Sequence, residues 1–373
     1  MLKKEFNSML PINSHNVDEV DMFRALIKAF SAKEYACALE THASKGFVYH
    51  NLRHNHHAPK ERKCEIADVL FLFFSPDGRE LRYTFMQNKR DSKTAYTPSA
   101  PLKKLKASPI QWDLLHYRCE LTGNCGNGYP PNCLSSALLE SAATYGVFVN
   151  DANGKNVDMV YVIASDLIPV TKIPIKGRSP RSYNVNSCYN TIQKVQNFCE
   201  MRGTCTLDMF ELACRTMLVG TPVLREQREL IFPVLNWAAE IINDGEKDKK
   251  QEDLLNLVER WKALNSVDTI GVEKLSGGFS CDIVIIKAAQ DIVFYTNDIA
   301  GNKAEFLKTA LNVTNVRDYD GQELPTDDNA IYLFDEKVVT PDLSLAQKIV
   351  PYKNYYIVGE DETQGIYIKD FEI

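Results

Sequence analysis

Three residues in the first quarter of the sequence have the types and spacing that could hold a cation beside a phosphate group. Asp68 precedes the apolar run Val69–Phe74, and Gln87 and Lys89 end a second β-rich run that begins at Leu81. Side chains two positions apart on a strand share a face, so Gln87 and Lys89 are expected to project together. If the two runs pair as a hairpin, Asp68 lies beside them.

Hydrolysis of a phosphodiester needs a divalent cation to offset the phosphate charge, an activated water and a stabilised leaving oxygen. Magnesium prefers oxygen ligands and takes only one or two of them from carboxylates. Asp68 offers a carboxylate oxygen, Gln87 an amide oxygen and Asn88 a main-chain carbonyl. Lys89 would lie near the attacking water, where it would lower the pKa of that water or stabilise charge in the transition state.

The elements that position these residues follow from turn signals and periodicity. The segment Ser75–Gly78 predicts a tight turn between the two runs, because proline fixes φ and glycine accepts a positive φ. Spacings of three and four between apolar residues predict an earlier helix. We expect helices at 17–43, 49–54 and 134–145, a helix or loop at 111–118, and a buried strand at 157–170.

An order of helix, strand, strand, helix and strand predicts an α/β unit with a central sheet. We therefore divide the chain into three regions. The first is an α/β core over 17–175, the second a helical region over 183–265, and the third a smaller C-terminal α/β or α+β module over 277–373. The predicted strands of that module are 282–286, 292–295, 330–334 and 355–358.

An acid on one strand, followed on the next by glutamine, any residue and lysine, resembles the motif of the PD-(D/E)xK nuclease superfamily. The resemblance covers about residues 20–170 and implies a restriction-endonuclease-like core, a mixed central sheet flanked by helices. It also implies cleavage of DNA with Mg²⁺ or Mn²⁺, in restriction or anti-phage defence. Asp68 and Gln87 would bind the metal, and Lys89 would be catalytic with them.

The sequence departs from the usual motif at two positions. Gln87 stands where the acid is usual, which leaves one fewer negative charge for the cation. Branches of the superfamily that resemble modification-dependent restriction enzymes also carry glutamine there, so activity is not excluded. Ala67 stands where proline usually precedes the acid.

Other polar residues are candidates for the same site. Glu65 lies three positions before Asp68 and would face the opposite side of a regular strand, so it joins the catalytic group only if the strand starts late or bulges. The superfamily often adds a polar residue from the first helix. Glu34, Glu40 and His50 are eligible for that role, and the sequence does not choose among them.

The distribution of charge favours a polyanionic substrate. The chain has a net charge of −6, yet residues 51–118 carry 13 Lys/Arg against 7 Asp/Glu, a net of +6. Residues 291–373 carry 7 against 16, a net of −9. A basic section around the candidate site suits DNA as the partner, with RNA not excluded.

Two further classes of function remain open. A nuclease-like fold could be kept as an inactive nucleic-acid-binding or assembly module, with Gln87 as a sign of decay. An RNA-directed or toxin-like nuclease needs only a change of substrate. A homodimer is compatible with each of these functions.

The sequence also bears on the cellular location of the protein and on the role of its cysteines. No apolar run approaches the roughly 20 residues that cross a bilayer, and the N-terminus lacks a secretory apolar stretch, so we expect no membrane partner and a cytoplasmic location. Cys119, Cys125 and Cys133 are spaced more widely than the cysteine pairs of structural zinc sites. We expect them to be buried or incidental thiols.

Overall fold

The structure is a computed structural model, and it describes residues 2–11, 17–40, 47–53, 61–96, 101–125, 129–151, 156–171, 179–186, 191–243, 248–265, 281–288, 316–319 and 331–334. Amphipathic segments form the helices, and most of them bury one face. The helices within the described ranges are α1 (Leu2–Met9), α2 (Glu19–Ser31), α3 (Pro109–Tyr117), α4 (Leu207–Arg215), α5 (Arg228–Asn243) and α6 (Lys249–Asn265).

Most of the strands are short, and β5 is the longest described. In chain order they are β1 (Ala36–Leu39), β2 (Phe47–Asn51), β3 (Glu61–Cys64), β4 (Val69–Phe74), β5 (Leu81–Tyr96), β6 (Lys104–Ala107), β7 (Leu121–Cys125), β8 (Ala143–Asp151), β9 (Val157–Ile163), β10 (Leu167–Pro169), β11 (Arg181–Val185), β12 (Thr191–Val195), β13 (Phe198–Arg202), β14 (Thr221–Pro222), β15 (Asp282–Lys287), β16 (Val316–Tyr319) and β17 (Ile331–Phe334).

Seven strands form a mixed central sheet. Its order is β1-β15-β4-β5-β8-β9, and β14 also pairs with β5. The β15–β4 and β5–β8 pairs are parallel, and the other pairs of this sheet are antiparallel. The predicted α/β class with a mixed central sheet is therefore confirmed at this level. Small sheets of two and three strands accompany it: β10-β11-β6, β3-β2-β7, β12-β13 and β16-β17.

Helices cover both faces of the central sheet. On one face, apolar residues of α3, α5 and α6 pack with one set of alternating strand residues, including Leu70, Leu72 and Phe85. On the other face, α1, α2 and α4 pack with the intervening set, including Phe71 and Met86. All six residues of β4 are buried, as expected for a strand covered on both sides. The result is a three-layer α/β/α arrangement.

The predicted hairpin is present. β4 and β5 pair antiparallel, and the N–H of Gly78 donates to the carbonyl of Ser75 over 2.9 Å to close the turn between them. Gly78 has a φ of +69°, a left-handed conformation that residues with a Cβ rarely adopt. Of the helix or loop expected at 111–118, the structure has the helix, α3. Among the described residues, no helix has both the length and the apolar character that crossing a membrane requires.

Several predicted helices are wrong in part or in whole. The helix predicted over 17–43 corresponds to α2, which ends at Ser31. Strand β1 lies within the remainder of that predicted range. The predicted helix 49–54 overlaps strand β2, and most of 134–145 forms turns and a short 3₁₀ segment before β8 begins at Ala143. Sheet pairing overrides local helix propensity in β1 and β2. The region 183–265 likewise contains β12 and β13 before its three helices.

The predicted C-terminal module is wrong in one major respect. Its first strand, β15, lies inside the central sheet, antiparallel to β1 and parallel to β4. The predicted strand 330–334 corresponds to β17, which pairs parallel with β16. The predicted strands 292–295 and 355–358 lie outside the described residues. The predicted buried strand 157–170 is confirmed in its first half, as β9; a 3₁₀ turn and the short β10 form the rest.

Candidate functional site

The register of the central hairpin brings Asp68 opposite Gln87. Val69 pairs with Met86, so Asp68, one residue earlier, faces Gln87, one residue later. The N–H of Asp68 donates to the Met86 carbonyl over 3.1 Å, and the Asp68 carbonyl accepts from the N–H of Asp282 on β15 over 3.1 Å. The backbone of Asp68 is thus held by a strand on each side.

Side chains and main chain form a connected polar network at this point. Asp68 Oδ2 accepts from Gln87 Nε2 over 2.5 Å and from the N–H of Asn88 over 2.6 Å. Gln87 Nε2 also donates to the Asn88 carbonyl over 3.3 Å. The other end of the Gln87 amide accepts from Gln111 on α3, which in turn donates to the Glu65 carbonyl over 3.2 Å. Helix α3 therefore orients the glutamine of the motif.

Burial raises the pKa of the Asp68 carboxyl to about 6. The positive charge of Lys89 and the hydrogen bonds from Asn88 and Gln87 lower this pKa, and the negative charge of Glu19 raises it. Burial is the largest of these effects, since it disfavours the ionised form. A carboxyl poised near neutral pH is a common feature of functional sites.

Lys89 is paired with an acid from the first long helix. Its Nζ lies 2.9 Å from Glu19 Oε1, and Glu19 Oε2 accepts from the N–H of Arg90 over 3.0 Å. Glu19 is the first residue of α2, directly after Asp18, whose side chain caps the helix by accepting from the N–H of Asp21. One carboxylate therefore fixes the direction of the lysine and the main chain at the end of the motif.

Glu19 was not among the candidates that the sequence offered for a polar helix residue of the site, yet it contacts Lys89. Of the three candidates for that role, Glu34 and Glu40 are exposed. His50 is fully buried on β2, where its Nε2 lies 3.5 Å from Asp113 Oδ1. Glu65 lies in the segment before β4, and its main-chain carbonyl is the group that contacts Gln111. The catalytic role of the Glu65 side chain stays a prediction.

The oxygen atoms around Gln87 suit a hard cation. Gln87 Nε2, a positively polarised group, lies between Asp68 Oδ2 and the Asn88 carbonyl. Two acceptors therefore converge on one point, and a Mg²⁺ or Mn²⁺ ion would use the same oxygens. For Gln87 to be a third ligand its amide must turn over to present Oε1, and the amide of Gln111 must turn with it. The donor set thus fits the cation, with one rearrangement of two neighbouring amides.

Comparisons of the chain with protein-family models, with curated proteins and with solved structures gave no match. The fold of the described residues is mixed α/β, with a seven-stranded mixed sheet between helices. What the chain does is inferred from the residues and contacts of the site itself.

Proposed function

We propose that this chain is a Mg²⁺-dependent nuclease with a restriction-endonuclease-like core, which hydrolyses phosphodiester bonds in DNA and serves in restriction or anti-phage defence. One observation carries the proposal. Asp68, Gln87 and Lys89 lie at one end of the β4–β5 hairpin, where Gln87 contacts Asp68 and Glu19 binds Lys89 from helix α2. The order α2, β4, β5, α3, β8 around these residues also agrees with the resemblance of the motif.

In the proposed reaction a water oxygen attacks phosphorus, the bond to one ester oxygen breaks, and that oxygen leaves with a proton. Asp68 must be ionised to hold a cation, so its protonation below pH about 6 opposes the reaction. When bound, Mg²⁺ would neutralise phosphate charge and acidify a coordinated water. The Lys89 ammonium group would stabilise the negative charge that builds up on the phosphate. Glu19 would keep that ammonium group oriented.

The direct test is a cleavage assay on the full chain. We expect cutting of duplex DNA with Mg²⁺ or Mn²⁺, and loss of cutting when a chelator removes the ion. Modified duplex DNA, unmodified duplex DNA and single-stranded RNA form the three arms, because the net positive charge of section 51–118 would attract any of these polyanions. Cleavage of RNA alone would favour the hypothesis of an RNA-directed or toxin-like nuclease. Absence of cutting in every arm would contradict the nuclease proposal.

One observation favours an inactive nucleic-acid-binding module as the second candidate. Three of the motif side chains already have partners without a cation, since Gln87 presents its amide nitrogen to Asp68, and Lys89 is paired with Glu19. Such a network is stable as it is and would need to rearrange to bind metal. Binding of DNA that is independent of Mg²⁺, together with no cleavage, would support this candidate.

Glu19→Gln tests the positioning role of the helix residue. The variant keeps an acceptor for the N–H of Arg90 and loses the charge that holds Lys89, so we expect kcat to fall about 10- to 100-fold. Because Glu19 raises the pKa of Asp68, the acidic limb of the pH–rate profile should also move to lower pH. Asp21→Asn, in the exposed first turn of the same helix, is the matched control. An unchanged pH profile in Glu19→Gln would exclude this role.

A further inference from the structure

A second group of possible metal ligands lies away from Asp68. His50 on β2, Asp113 on α3 and Cys119 just after α3 are all buried, and their ligand atoms lie within 4.8 Å of one another. His50 Nε2 is 3.5 Å from Asp113 Oδ1, and Cys119 Sγ is 3.9 Å from the same oxygen. Bonds of about 2.0–2.3 Å to tetrahedral zinc place ligand atoms about 3.4–3.6 Å apart, close to these separations.

The histidine supplies an independent observation. His50 is completely buried, and neither of its ring nitrogens has a hydrogen-bond partner within the described residues. Leaving a buried polar group without a partner is unfavourable, so such groups usually have a bound ion or water as their explanation. Its Nε2 lies 3.5 Å from Asp113 Oδ1, a separation at which one cation could bind both atoms.

We propose that His50, Asp113 and Cys119 form a zinc site that ties β2 to helix α3. Imidazole and thiolate select a borderline-soft ion over Mg²⁺. A thiolate, a carboxylate and a neutral imidazole also cancel the charge of Zn²⁺, which makes the cluster neutral in a fully buried place. The three side chains leave one tetrahedral position for a water molecule. Binding forms a Zn–S bond and releases the thiol proton of Cys119 to solvent.

Surrounding contacts support this arrangement. The N–H of Arg53 donates to Asp113 Oδ1 over 2.9 Å, which fixes the carboxylate in the way that outer partners of metal ligands do. Burial, followed by the charge of Asp113, raises the pKa of the Cys119 thiol to about 12. The thiol is therefore protonated until a cation displaces its proton. Gln111, which orients Gln87, lies two residues before Asp113 on the same helix.

Metal content is the first measurement, on the full chain purified without a histidine tag from zinc-supplemented cells. We expect about one zinc per chain after dialysis against metal-free buffer. Cys119→Ser should bind zinc at least about tenfold more weakly. Cys133→Ser is the matched control, because Cys133 is buried outside the cluster, and it should keep its zinc. Equal zinc in the wild type and Cys119→Ser would overturn the proposal.

A second measurement decides the matter if the serine variant fails to fold. Co²⁺ added to metal-free wild-type protein should give a thiolate-to-metal charge-transfer band in the near ultraviolet, and zinc should displace it. Absence of both zinc and this band in folded wild type would mean that the three residues are a metal-free polar cluster. Neither readout depends on DNA cleavage, so the zinc site can fail while the nuclease proposal stands, and the reverse.

Discussion

Replacing Lys89 with methionine is expected to slow DNA cleavage about 10²–10³-fold while the fold stays intact. Lys89 lies two residues beyond Gln87 on the same face of β5, where the proposed reaction needs a positive charge beside the phosphate. Loss of one preorganised positive charge at a developing negative charge has an effect of this size. Methionine keeps most of the length of the side chain and removes only the charge.

Stability should change little in Lys89→Met. The lysine side chain is 20 % exposed and its partner Glu19 is 39 % exposed, and ion pairs near the surface contribute about 0–1 kcal/mol. Thermal unfolding and circular dichroism check this. Lys106→Met is the matched control, since Lys106 is an exposed lysine of the same basic section on β6. Equal cutting by Lys89→Met and the wild type would remove Lys89 from the catalytic group.

Asp68→Asn is expected to abolish metal-dependent cleavage and, at pH 8, to make the protein more stable. Asparagine keeps an oxygen that can accept from the N–H of Asn88. It removes the carboxylate, the one formal negative charge among the proposed oxygen ligands. The Asp68→Asn variant should therefore bind the cation weakly, because the remaining ligands, Gln87 and the Asn88 carbonyl, are neutral. We expect no saturation with Mg²⁺ at millimolar concentration.

The stability effect follows from the pKa of Asp68. Folding raises this pKa from the ordinary value of 3.8 to about 6, so the folded state binds the proton more tightly than the unfolded state. Proton binding at Asp68 therefore contributes to the stability of the folded state. This contribution is complete below pH 3.8 and is lost as pH rises through about 6. Above that pH the buried charge costs roughly 3 kcal/mol, at about 1.4 kcal/mol per pKa unit. Asparagine does not ionise, so the Asp68→Asn variant has no buried charge at this position.

Urea denaturation of both proteins at pH 4.5 and pH 8 measures the difference. The free energy of unfolding of Asp68→Asn should exceed that of the wild type by roughly 1–3 kcal/mol at pH 8, and the gap should narrow at pH 4.5. Asp77→Asn is the control, because hydrogen bonds with Ser75 and Arg79 lower the pKa of that exposed turn carboxyl. A gap that is the same at both pH values would contradict the assigned pKa.

Sequence periodicity was sufficient to predict the hairpin and the positions of Asp68, Gln87 and Lys89 on it. Alternation along β5 puts Gln87 and Lys89 on one face, and the short turn at Gly78 fixes a register that carries Asp68 to Gln87. These relations are local. They depend on neighbouring strands and a tight turn, which a sequence encodes directly.

Relations between distant segments could not be predicted in the same way. Glu19 looks like any acid in the first turn of a helix, where the helix dipole alone favours negative charge. Its pairing with Lys89 depends on how α2 crosses the end of β5. His50 and Asp113 are likewise brought together by packing of β2 against α3, across more than sixty residues of chain. No spacing rule covers either contact.

The position of β15 has a consequence for the order in which the molecule can be completed. β15 lies between β1 and β4, and its Asp282 N–H holds the carbonyl of Asp68. A growing chain that has reached Asn265 already contains all the residues of the candidate site, yet β4, whose six side chains are all apolar, still has an unpaired edge. The last support of Asp68 is added about two hundred residues after Asp68 itself is made. During synthesis, the residues of the candidate site are therefore all present before the strand that completes the site has been made.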